Sequence, residues 1–264
     1  MDALREPAKA GLGARMIAHL RAIAGPDRNP TTNRDLATLL AFTAGILNSV
    51  GFMAIAIYTS HMTGLTAILA DSLAVGAFDV AVLSAVGIGA FVVGAAACAM
   101  LFNWARRRGL RSRYALVLLL EAVLALLIGL LAQELTTEGR TWALIAVLGF
   151  TMGMQNAIIT KISNAQIRTT HVTGMVTDIG IELGKLVYPR RADDPEPVRA
   201  DLGKLGLHTL LVGAFFVGGL TGALSYMVLG FVTVVPTACI LLLLASIPVV
   251  EDLRDHSRGR RAGA

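Results

Sequence analysis

The chain has 264 residues, a net charge of +5 and a mean hydropathy of +0.67, with 55% hydrophobic and only 16% charged residues. Soluble domains carry about 25% charged residues, and here the charges cluster, leaving residues 36–60, 80–105, 141–160 and 209–250 without a single Asp, Glu, Lys or Arg. That pattern excludes a soluble domain, and because the basic residues flank apolar runs, their excess reads as membrane topology rather than nucleic-acid binding.

Residues 1–35 form a basic cytoplasmic segment. Its stretch 8–24 is too polar for a signal-peptide core, which leaves an interfacial helix or a disordered tail. A spanning helix needs about 20 apolar residues, so each charge-free gap holds at least one crossing. The first membrane repeat, 36–133, holds a span from Leu36, a segment beginning His61-Met62-Thr63-Gly64, a span over 80–105, and a run from Tyr114 to Gln133 broken only by Glu121. The second, 141–249, holds the corresponding parts and an insert at 189–204 rich in proline and charge. Its last charge-free gap, 209–250, contains Pro236 and reads as two helices joined by a tight turn near Gly230–Pro236. Residues 250–264 are a cytoplasmic tail.

The two halves match each other. Ser60-His61-Met62-Thr63-Gly64 answers Thr170-His171-Val172-Thr173-Gly174, and Gly89-Ala90-Phe91-Val92-Val93-Gly94 answers Gly213-Ala214-Phe215-Phe216-Val217-Gly218. Asn48 answers Asn156, each three residues after a glycine (Gly45 and Gly153). The expected fold is therefore all-α and integral to the membrane, with six transmembrane helices, two re-entrant or broken HxTG segments and two repeats. If the HxTG segments do not cross, 22 of the 23 Lys and Arg residues fall on the cytoplasmic side with both termini, and only Arg140 falls outside. Three crossings per half then make the repeats inverted in topology, with a site near the midplane where the halves meet.

The HxTG segments carry the candidate chemistry. Glycine permits an abrupt backbone change and threonine caps a new helix, so Thr63-Gly64 and Thr173-Gly174 read as breaks whose freed amides face a solute. The predicted binding set is Asn48, His61, Thr63, Gly64, Gln155, Asn156, His171, Thr173 and Gly174. Its amides suit a neutral or zwitterionic solute, since they both donate and accept. His171, with Asp178 and Glu182 one turn apart near Lys185, is the candidate for proton or ion coupling; a hydrogen-bonding role for the histidines and a solvated face for the acids are the alternatives. Glu121 either faces the cavity or reaches back towards Arg113 or Arg111. The glycines Gly89, Gly94, Gly213, Gly218 and Gly222 fit close helix crossings. Cys98 and Cys239 both fall inside spans, too few for a zinc site, and no metal or cofactor is expected.

The blocks Gly45–Phe52 with Ser60–Ala70, and Gly153–Gly180, resemble the YoaK-type family of bacterial multi-pass membrane proteins, a domain of unknown function. The resemblance runs from about Ala41 to Pro248 and is most specific from Gln155-Asn156 to His171. It departs at Leu65, where a small polar residue is expected after the HxTG glycine. It implies a bacterial inner membrane and multi-pass topology, and brings no substrate or reaction.

The expected function is thus a secondary transporter or permease for a small solute, with a channel of the same architecture or a non-transporting scaffold or sensor partner as alternatives. No HExxH, acidic lipid-phosphate or serine-plus-base pattern speaks for an enzyme, and GxxxxGK[ST] is absent. The expected partners are the lipid bilayer and the solute, with no nucleic acid; a homo-oligomer is left open.

Overall fold

The computed structural model describes residues 29–162, 170–189 and 198–262, together with Ile23 and Gly25, with side chains up to Asp255. The expectation for 8–24 lies outside them, apart from Ile23, as does half of the 189–204 insert, residues 190–197. All regular structure among the described residues is helical: α1 (Pro30–Ile55), α2 (Met62–Ala74), α3 (Phe78–Arg107), α4 (Ala115–Leu131), α5 (Thr137–Ile162), α6 (Val172–Val187), α7 (Leu202–Leu229) and α8 (Val234–Ala262). Five helical stretches are long and apolar enough to cross a membrane, the last of them, Leu202–Asp255, containing both α7 and most of α8.

Helix α1 begins six residues before the charge-free run because its start is capped. The Asn29 side chain accepts the Thr32 N–H at 2.8 Å, the Thr32 hydroxyl oxygen accepts the Asn29 N–H at 3.1 Å, and Pro30 needs no acceptor. Helices α2 and α6 have 13 and 16 residues. At about 1.5 Å per residue, both fall short of the roughly 30 Å of a hydrocarbon core. Between α7 and α8 the chain turns through Gly230, at φ 59°, and a 3-10 turn ending at Thr233. Pro236 lies inside the first turn of α8, where a missing N–H costs nothing.

Helices α1, α4, α5 and α8 form the centre, and α3 and α7 lie outside them, α3 chiefly against α5 and α7 chiefly against α1. The core is divided in two. One cluster holds Leu40, Ala41, Leu118, Ala122, Met154 and Leu241; the other holds Ala44, Leu47, Ala125, Met152 and Ala238.

Contacts across the helices give their directions. Gly218 lies on Phe42 and Gly222 on Ile46, so α1 and α7 run parallel; Gly87 lies on Ile145 and Gly94 on Phe150, so α3 and α5 run parallel. Helices α4 and α8 run antiparallel: Gly129, late in α4, meets Val235 at the start of α8, while the N–H groups of Arg111 and Ser112, just before α4, donate to Asp252 near the other end of α8.

The glycine contacts correct part of the sequence reading. A Cβ on Gly94 would strike the main chain of Phe150, and one on Gly218 that of Phe42. Reciprocally, Gly153 lies against the Phe91 carbonyl and Gly45 against the Phe215 carbonyl. Gly89 and Gly213, at the start of the same GAFxVG segments, have no atom within 4 Å of a Cβ position. They are not crossing points.

Candidate functional site

The two HxTG segments meet. A cavity of about 590 Å³ is lined by Ser60, His61, Met62 and Thr63 from one, by Thr170, His171, Val172 and Thr173 from the other, and by α3 and α5 residues including Phe91, Ala95, Asn156, Thr160 and Lys161.

Each segment is built in the same way. His61 and His171 occupy the N-cap positions of α2 and α6, with no side-chain capping bond, and their rings fold back over the first turn. A Cβ on Gly64 would stand 2.6 Å from His61 Nδ1, and one on Gly174 2.5 Å from His171 Nδ1. Neither glycine has positive φ. So the glycine of HxTG makes room for the histidine ring rather than breaking the backbone, and the threonine lies within the first helical turn rather than capping it. Asparagine holds the loop. Asn48 Oδ1 accepts the N–H of Ser60 at 3.2 Å and its hydroxyl at 2.9 Å, and Asn156 Oδ1 accepts the Thr170 hydroxyl at 2.9 Å. A hydroxyl-bearing residue precedes the histidine in both halves, and that repeated feature was the available signal for Ser60 and Thr170.

Leu65 is buried, and its Cδ1 lies 3.1 Å from a Cβ position on Gly87. Met175, at the same offset from its HxTG glycine, is buried too. This position faces the bundle, which is why it is apolar in both halves.

Of the predicted set, His61, Thr63, Asn156, His171 and Thr173 line the cavity, Asn48 stands behind Ser60, and Gly64 and Gly174 lie beneath the rings. Gln155 does not join them. Its side chain is fully buried on another face of α5, where Nε2 donates to Glu121 Oε1 at 2.7 Å and to Thr43 Oγ at 3.0 Å. Glu121 therefore neither faces the cavity nor reaches Arg113, whose guanidinium lies over the Tyr114 ring.

Asp178 and Glu182 tie α6 to the start of α7. Asp178 Oδ1 pairs with Lys204 Nζ at 3.0 Å, and Oδ2 stands 3.5 Å from His208 Nδ1. Glu182 takes Lys185 Nζ at 2.9 Å and the Asp201 N–H at 2.8 Å. The Lys204 hydrogen bond holds the Asp178 carboxyl below its ordinary range, and the Lys185 and Asp201 hydrogen bonds do the same for Glu182.

The cavity's cation, Lys161, was absent from the sequence prediction because it sits at the end of a span, where a lysine reads as a topology signal. Its ammonium lies 5.2 Å from the Phe102 ring centroid. Among the described residues, the lining thus offers one ammonium, two imidazoles, hydroxyls, an amide and the first turns of two helices, and no carboxylate. First-turn N–H groups have no acceptor within their own helix, and a helix start carries a partial positive charge. Such a lining can hold an anion or the acceptor oxygens of a polar solute.

No curated protein and no solved structure matches the chain. Residues 36–247 match the family described as protein of unknown function (DUF1275), and the chain belongs to that family.

Proposed function

We propose that the chain is a secondary transporter of the bacterial cytoplasmic membrane, with six crossings, both termini inside, and a small organic anion as its solute. The cavity carries this reading: the two HxTG segments of the two halves converge on one space rich in donors and, among the described residues, free of acids.

The helix directions support six crossings. If α2 and α6 also crossed, α4 and α8 would be the fourth and eighth passes and would run the same way. Their antiparallel packing fits the third and sixth passes instead. The contacts also exchange under the repeat: Gly94 on Phe150 answers Gly218 on Phe42, and Gly153 on Phe91 answers Gly45 on Phe215. Exchange of that kind is what an in-plane two-fold axis between inverted repeats produces. Arg140, the one basic residue outside in this topology, donates from Nε and Nη2 to the carbonyls of Ala132, Gln133 and Leu135. Its place is explained by the end of α4 that it closes.

The solute class follows from charge. Asparagine and threonine alone suit a neutral or zwitterionic molecule, but Lys161 and two helix starts add positive potential, the two imidazoles offer ring N–H donors, and no acid among the described lining residues balances them. Asp178 and Glu182, already paired, serve α6 rather than the solute.

Purified protein should be stabilised to heat by a subset of small mono- and dicarboxylates. At a ligand concentration of 100 Kd the gain is about 2.7 kcal/mol. Lys161→Ala should abolish most of that gain while unfolding normally without ligand. If no anion stabilises the wild type while neutral solutes do, the anion reading is wrong.

A further inference from the structure

The polar side chains at the seam between the two core clusters lie apart from the residues that line the cavity. Thr43 of α1, Glu121 of α4 and Gln155 of α5 meet there, between Ala41 and Ala44, Ala122 and Ala125, and Met154 and Met152 of the two clusters. Glu121 and Gln155 are fully buried. The amide nitrogen of Gln155 is spent, donating to Glu121 Oε1 and to Thr43 Oγ, and the Thr43 hydroxyl donates on to the Leu40 carbonyl. Two oxygens are left with no partner, Glu121 Oε2 and Gln155 Oε1. Both are acceptors, and what both lack is one hydrogen.

Among the described residues no basic side chain pairs with Glu121. The titratable group brought near it from another helix is the Cys98 thiol of α3; α1 brings Thr43, α5 brings Gln155, and α8 brings apolar residues such as Leu241 and Leu244. An ionised carboxylate in such a place is costly because no cation or full set of donors answers it.

We propose that Glu121 and Gln155 form a buried proton-binding site. The proton sits on Glu121 Oε2 and is donated to Gln155 Oε1, while Gln155 Nε2 donates to Glu121 Oε1. One proton then satisfies both orphan oxygens and closes a cyclic acid–amide pair. The site belongs to the bundle and stands independently of which solute the cavity takes. Its connection to the cavity is α5, where Gln155 faces the seam and the next residue, Asn156, faces the cavity.

The test is infrared difference spectroscopy on the full chain in lipid nanodiscs at neutral pH. A carboxylic-acid C=O stretch that shifts on deuteration should appear in the wild type and be missing from Glu121→Gln. In Gln155→Leu the band should persist and move up in frequency, because the acid loses its amide partner; this variant keeps Glu121 and serves if Glu121→Gln does not fold. Absence of an acid band from the wild type at neutral pH overturns the proposal. So does an acid band that is unchanged in both variants. A carboxylate signature combined with stabilisation by sodium or potassium salts, lost in Glu121→Gln, overturns it in favour of a metal cation.

Discussion

Two glycines of one short segment, Gly89 and Gly94, should respond oppositely to the same change. A methyl group at Gly94 would fall on the main-chain O, C and Cα of Phe150, and main chain cannot swing aside as a side chain does. Relief requires α3 to move off α5 along a tightly packed crossing. Overpacking of this kind costs about 1–3 kcal/mol, while alanine returns up to roughly 1 kcal/mol of helix propensity over glycine. At Gly89 the methyl group meets nothing within 4 Å, so only the propensity gain remains. A chain of this size shifts by about 2–4 °C per kcal/mol. With the full propensity return the net cost is up to about 2 kcal/mol, so Gly94→Ala should lower the melting temperature by up to roughly 8 °C in detergent micelles, and Gly89→Ala should leave it level or raise it. Thermal unfolding followed by tryptophan fluorescence measures both. Gly218→Ala and Gly213→Ala repeat the experiment in the other half, with the clash at Phe42. If Gly89→Ala destabilises as much as Gly94→Ala, α3 does not cross α5 at Gly94 and the reasoning fails.

Asn48→Leu should release the Ser60 loop by removing two hydrogen bonds, costing about 1–3 kcal/mol for the donors left behind; hydrogen exchange at the start of α2 reads it, and unchanged exchange would show that the asparagine does not hold the loop. Asp178 and Glu182 titrate below their ordinary ranges in the folded chain. Their contribution is present above the unfolded-state values of about 4 and is lost as pH falls through and below them. Melting temperature should fall on acidification through that window, and Asp178→Asn with Glu182→Gln should flatten the fall; an equally steep fall in the double variant would assign the acid sensitivity elsewhere.

Much of this architecture was legible in the sequence because its causes are local or repeated. Charge-free runs mark long apolar helices, and the shortness of α2 and α6 follows from turn residues and charge placement around them. The convergence of His61 and His171 followed from the repeat taken together with the placement of the basic residues. What stayed hidden depends on which way a side chain turns from its helix. Gln155 and Asn156 are neighbours, yet the helical advance of about 100° per residue puts one in the seam and the other on the cavity. Glu121 looked like an end-of-span residue seeking an arginine because nothing near it in the chain reveals Gln155, 34 positions away. Gly89 and Gly94 carry identical signals, and only the neighbouring helix tells them apart.

The placement of polar groups bears on how such a molecule would work. On the proposed function the cavity would present its two helix starts to solute, and each is held by a single amide, Asn48 or Asn156, reaching from the preceding long helix. The buried acid needs the opposite, a site closed on every side. Helix α5 carries both features on adjacent residues, Gln155 and Asn156, so a movement of α5 against α4 would be felt at the cavity and at the Glu121–Gln155 pair. In an inverted-repeat transporter one half moves against the other; α5 belongs to the second half and Glu121 to the first. The pair therefore links the two halves at the seam between the two core clusters, each of which draws on both halves, and its proton is a bond between the halves that a shift of α5 would make or break.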